Sequence, residues 1–149
     1  MRTSKAISTI SFNSLPYLLT ILDQLTNAGK LEFWAVIPHQ PEDDEGGKKE
    51  HIHVHIVPSK MIQTQQLKDE FAEYDPGNPD KPRGCINFVT SKWDDWYLYG
   101  LHDKAYLAQK GQSRRYHYRP DEIISSDQDE LNFKVKSIDL LSLSPYMDM

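Results

Sequence analysis

Apolar positions along the chain fall into short blocks whose spacing alternates between a period of two and a helical period. Residues 5–12 (KAISTISF) are β-branched and alternate, which predicts a strand. Asn13-Ser14 then offers a helix cap, with Pro16 tolerated in the first turn. Leu15, Leu18, Leu19, Leu22 and Leu25 recur at helical spacing until Gly29 stops them. Residues 31–37 (LEFWAVI) are almost wholly apolar and predict a central strand. The stretch 38–50 carries Pro41, a run of acids and Gly46-Gly47, and predicts a loop. Residues 51–57 (HIHVHIV) alternate strictly and form the third predicted strand.

In the second half, residues 63–74 predict a helix with Ile62, Leu67 and Phe71 inward. Residues 75–83, rich in proline, predict a long exposed connection, and residues 85–89 a fourth strand. Residues 94–109 predict a helix capped by Ser91 or Asp94 and closed near Gly111. Beyond it, residues 116–118 read as an edge strand and residues 131–138 as another short piece of strand. The order is therefore βαββαβα. The direct connection between the second and third strands argues against a doubly wound parallel sheet. The expectation is an α+β fold, a central antiparallel sheet of about four or five strands flanked by helices that are segregated to one side.

Composition narrows the class. With 149 residues, 38% apolar and 11% aromatic, the chain has enough apolar surface for one domain with a core. A single cysteine, Cys85, excludes an intrachain disulfide framework and a Cys-based zinc finger, and fits a cytoplasmic protein. No apolar run reaches the ~18–20 residues of a membrane span. Seventeen basic against 22 acidic residues give a net charge of −5, which argues against indiscriminate coating of nucleic acid. The charge is unevenly spread, however. Residues 42–45 and 121–130 are acidic, and between them lies a basic stretch with Lys110, Arg114, Arg115, His117 and Arg119.

The candidate chemistry starts from the third strand. Alternate side chains share a face, so His51, His53 and His55 project together from the exposed face while Ile52, Val54 and Ile56 bury the other. Two readings compete. One is a divalent-metal site, completed by His39 at the end of the neighbouring strand and by a carboxylate just beyond it, Glu42 first and Asp43 next. Such a mixed set suits Mn²⁺ or Mg²⁺ acting as a Lewis acid on a phosphate oxygen. The other is a histidine-triad nucleotide hydrolase, whose alternating pattern HIHVHIV matches and in which a histidine attacks phosphorus. That family places its triad near the end of its catalytic domain, whereas here the pattern arrives at residue 51.

The segment 96–111 favours the first reading. On a helix Tyr99, His102 and Tyr106 share a face, and Tyr97 lies ~160° away at ~100° per residue. One phenol can face a metal on the sheet while the other packs elsewhere. A free phenol, with a pKa near ~10, is a weak nucleophile and needs a cation or base beside it. Trp93 and Trp96 flank the segment and are candidates to stack on an unpaired base or to pack in the core.

A strand of the form His, bulky apolar, His followed by a helical tyrosine resembles the HUH endonucleases. More closely, it resembles the origin-binding nicking domain of rolling-circle plasmid replication initiators from Gram-positive bacteria, over about residues 3–125. The family's strand, helix, strand opening corresponds to residues 7–37. Its first metal motif falls on His39 and Glu42, with glutamate where aspartate is usual. Its HUH motif falls on Lys48-Lys49-Glu50-His51-Ile52-His53-Val54, leaving His55 where an apolar residue is usual and the pair His53/His55 as an alternative register. Its tyrosine motif falls on Tyr97-Leu98-Tyr99-Gly100-Leu101-His102, in which the second tyrosine is the nucleophile.

The resemblance implies a nicking domain over residues 1–125 and a C-terminal extension over 126–149, either packed on the domain or disordered in part. It implies metal ligands His39, Glu42, His51 and His53 and a divalent Mn²⁺ or Mg²⁺ ion, with Tyr99 as nucleophile and His102 orienting the phenol or the phosphate. Lys110, Arg114, Arg115 and Arg119 are then candidate DNA contacts, or simply a solvated charge run. Implied partners are single-stranded or hairpin origin DNA of a plasmid or phage, host helicase and polymerase, and further copies of the chain in a homo-oligomer. No ATP is implied, in keeping with the lack of a GxxxxGK[ST] loop. A non-catalytic, replication-accessory DNA-binding protein is the third class.

Overall fold

A computed structural model describes residues 2–39, 51–71, 88–101 and 118–147, with side chains of the last helix through Ile138. In chain order the elements are β1 (Arg2–Thr3), β2 (Ile7–Ser11), α1 (Leu15–Asn27), β3 (Leu31–His39), β4 (His51–Pro58), β5 (Ile62–Gln63), α2 (Thr64–Phe71), β6 (Val89–Thr90), α3 (Trp93–Gly100), a 3-10 turn (Pro120–Glu122), β7 (Ile124–Ser125) and α4 (Gln128–Met147). Five strands form one sheet in the order β6-β2-β4-β3-β7, each neighbour antiparallel, and β1 pairs with β5 apart from it. The α+β class and the antiparallel sheet are as expected.

The long strands β3 and β4 position everything else. Ala35 pairs with His55, Ile37 with His53 and His39 with His51. β3 thus continues two residues past its expected end. Pro38, opposite Ile52, removes one ladder donor but its fixed φ stays compatible with extended chain.

Alternation along β3 and β4 splits the interior into two cores. Trp34, Val36, Ile52, Val54 and Ile56 face α1 and α2, meeting Leu18, Leu22, Leu67 and Phe71. Phe33, Ala35 and Ile37 face the other way, against Trp96 and Tyr97 of α3 and Leu131 and Ile138 of α4. Helices therefore cover both faces of the sheet, not one side as expected. The cause is already in residues 33–37 (FWAVI), since an uninterrupted apolar run needs cover on both faces. At the end of α1, Gly29 takes a φ of 76°, a left-handed conformation that glycine adopts without strain. The Asn13 side-chain amide donates to the Phe71 carbonyl at 2.8 Å, tying the entry of α1 to the last described turn of α2.

Residues 131–138 are helical, a correction to the expected strand. Leu131, Phe133 and Val135 alternate in the sequence and mimic one. The deciding feature is Asp127, whose Oδ1 accepts the backbone N–H groups of Asp129 at 3.0 Å and Glu130 at 3.1 Å. Leu131, Val135 and Ile138 then pack inward while Phe133 is left exposed. β7, the edge partner of β3, and the β1–β5 pair were not expected; two-residue strands carry no periodic signal. α3 begins at Trp93 behind Lys92, one residue from either expected cap, and is described through Gly100. Tyr118 is outside any strand. The expected connection over 75–83, most of the fourth strand and the second half of the tyrosine helix lie outside the described residues.

Candidate metal centre

Hairpin register brings the site together. His39 and His51 are cross-strand partners on one face, and His53 is two residues along that face. One ring nitrogen of each of the three lies within 4.8 Å of the others, close enough to share one metal ion. The rings sit 4.1 Å (His39–His53), 5.1 Å (His51–His53) and 5.4 Å (His39–His51) apart. All three are buried, which corrects the expectation of an exposed histidine face; Gly100 and Tyr118 lie against His39 and Tyr99 against His53.

The surroundings orient His39. Its Nε2 lies 2.7 Å from the Gly100 carbonyl oxygen, which can only accept, so Nε2 carries the proton and donates. Metal binding by this ring would therefore use Nδ1, the arrangement in which an outer carbonyl fixes the tautomer of a ligating histidine. Gly100 permits the approach, because a Cβ there would sit 3.3 Å from Ile37 Cγ2. Tyr118 stacks on the same imidazole at 4.3 Å and 7°, and its N–H donates to the Leu101 carbonyl at 2.8 Å. Neither Gly100 nor Tyr118 was singled out as part of the metal site. The only available hint was a glycine at the turn of YLYGLH.

His55 is separate. It is fully buried beneath Trp93 and Trp96, with ring centroids at 5.1 and 5.4 Å, and neither of its nitrogens has a hydrogen-bond partner among the described residues. Burial first, and the Lys134 ammonium second, lower its pKa from 6.5 to about 3, so it stays neutral. The metal-capable group is thus His39, His51 and His53, without His55.

The two motif tyrosines diverge. Tyr99 is half-buried, its ring 6.0 Å from that of His53 and edge-on to it. Tyr97 is buried and stacks on Trp93 at 5.6 Å. Trp96 is also buried, and Trp93 packs among Phe33, His55 and Trp96, so both indoles serve the core. Arg119, beside Tyr118, forms an exposed ion pair with Asp121 at 3.2 Å, a contact of little energetic weight. Glu42, Asp43, His102, Lys110, Arg114 and Arg115 lie outside the described residues.

No protein-family model matches the chain, and no curated protein is significantly similar to it. No helix among the described residues is long and apolar enough to cross a membrane.

Proposed function

We propose that this protein is an HUH-type endonuclease and strand transferase, nicking and rejoining single-stranded DNA through Tyr99. The observation that carries the reading is the half-buried Tyr99 ring lying edge-on to His53, itself a member of the three-imidazole group. The donor set fits a divalent cation: three buried imidazoles converge, and one has its tautomer held by a carbonyl. Glu42 or Asp43 would add an oxygen ligand. When bound, the ion supplies Lewis acidity toward a phosphate oxygen. Three nitrogen donors favour Mn²⁺ over Mg²⁺, which prefers oxygen ligands.

The chain's own residues supply the group transfer. The Tyr99 phenolic oxygen attacks the phosphorus of a phosphodiester, losing its proton to solvent or a neighbouring base. The bond from phosphorus to the 3′ oxygen breaks, and that oxygen takes up a proton as a free hydroxyl that can prime synthesis. The 5′ side remains as a phosphotyrosyl ester, and rejoining is the reverse, so no nucleotide cofactor is consumed. Lys110, Arg114, Arg115 and Arg119 are proposed phosphate contacts, which makes binding salt-dependent. His102 is proposed to orient the phenol. Origin hairpins on a plasmid or phage are the proposed substrate, with host helicase and polymerase following the nick in a bacterial cytoplasm. The seclusion of His55 from His51 and His53 weighs against the histidine-triad hydrolase.

The test is a set of fluorescent hairpin oligonucleotides with randomised loops, incubated with Mn²⁺ and resolved on denaturing gels. A covalent adduct is expected from the wild type and from Tyr97→Phe, and none from Tyr99→Phe. An adduct that survives Tyr99→Phe would overturn the nucleophile. Hydrolysis of a nucleoside phosphoramidate without adduct would support the triad hydrolase instead, and binding without cleavage the accessory protein.

A further inference from the structure

Far from the imidazoles, a cavity of about 230 Å³ opens among β1, the start of β3, the turn after β4, and α2. Its polar lining is Arg2, Lys30, Lys60, Gln63, Gln66 and Glu70. Arg2 is brought in by its register with Gln63 across the β1–β5 pair. Lys30 sits just before β3, at the end opposite His39, about 30 Å away along the strand at ~3.3 Å per residue. In a chain of net charge −5, three cations here face a single carboxylate. That carboxylate, Glu70, is committed to Lys30 at 3.6 Å. Arg2 and Lys60 have no ion pair among the described residues, so two positive charges without a described counter-ion and two side-chain amides line the same cavity. Such groups recognise oxyanions: guanidinium and ammonium for charge, amide N–H for direction. The volume is below the ~300 Å³ at which pockets begin to enclose drug-sized ligands, so it suits a phosphate group and not a whole nucleotide.

We infer that this cavity is a phosphate-binding subsite, formed by Arg2, Lys60, Gln63 and Gln66 and independent of the metal centre. The phosphate can belong to a small phosphorylated molecule or, on the strength of the nicking reading, to DNA flanking the cleaved strand. The shared chemistry is tested first without DNA. Inorganic phosphate is titrated into the ¹⁵N-labelled protein, with chloride at matched ionic strength as control. Saturable shifts of the Gln63 and Gln66 side-chain amides are expected, with at least a tenfold weaker apparent affinity in the double variant Arg2→Ala/Lys60→Ala. Both side chains are exposed, so the variant should fold; an unchanged melting temperature checks this. Non-saturating shifts, equal shifts with chloride, or equal affinity in the variant would overturn the subsite. If the subsite holds, displacement of phosphate by a 5′-phosphorylated oligonucleotide assigns it to DNA. Failure of displacement assigns it to a small phosphorylated ligand. Neither result depends on whether Tyr99 forms an adduct.

Discussion

The third histidine of β4 differs from the first two by what lies over it. His51 and His53 meet another imidazole, whereas His55 meets two indoles. Alternation in the sequence put all three on one face. It could not say which belonged with His39, because that depends on the register of the β3–β4 hairpin. The depressed pKa of His55 has a stability consequence. The unfolded chain takes a proton below pH 6.5, while the folded imidazole resists until about pH 3. Between those values the unfolded state binds more protons, so stability is full above pH 6.5 and falls as the pH drops toward 3. The slope is up to about 1.4 kcal/mol per pH unit. His55→Leu removes this dependence together with two unpartnered polar atoms. Urea unfolding in EDTA should show the variant gaining roughly 2–3 kcal/mol on the wild type between pH 7 and pH 4.5. A difference that does not change with pH would mean the buried imidazole is not held neutral.

At the scale of elements, legibility followed periodicity and length. α1, β3 and β4 are long enough for their apolar spacing to declare them, and all three lie within a few residues of expectation. β1, β5 and β7 have two residues each and exist only because a longer strand or each other offers partners. α4 was misread because Leu131, Phe133 and Val135 satisfy a period of two as well as Leu131, Val135 and Ile138 satisfy the helix. Its start depends on Asp127 accepting two first-turn N–H groups. The pair of half-buried Lys134 with exposed Glu130 at 3.6 Å adds less. Replacing Asp127 by Ala should therefore cost about 1 kcal/mol, read as a lower urea midpoint with an unchanged slope. Asp127→Asn, which keeps an acceptor oxygen, should recover most of that loss. Equal destabilisation by both variants would mean that the carboxylate charge, and not the cap hydrogen bonds, starts the helix.

At the scale of the whole molecule, the candidate metal centre sits where the end of β3, the start of β4, α3 and the residue Tyr118 meet. Each contributes one kind of contact. The strands supply the imidazoles, Gly100 the carbonyl that orients His39, and Tyr118 the ring stacked upon it. An ion held there would cross-link both long strands and, through Gly100, the helix that carries Tyr99, so binding should be readable as global stability. A ligand that binds only the folded state at 100 times its Kd adds about 2.7 kcal/mol. For a chain of this size that corresponds to a rise in Tm of roughly 5–10 °C. Mn²⁺ should produce this rise at neutral pH and Mg²⁺ a much smaller one. His51→Ala and His53→Ala should each abolish it, and His55→Leu should retain it. A rise that survives His51→Ala, or disappears in His55→Leu, would place the ion elsewhere on the strand and detach Tyr99 from it.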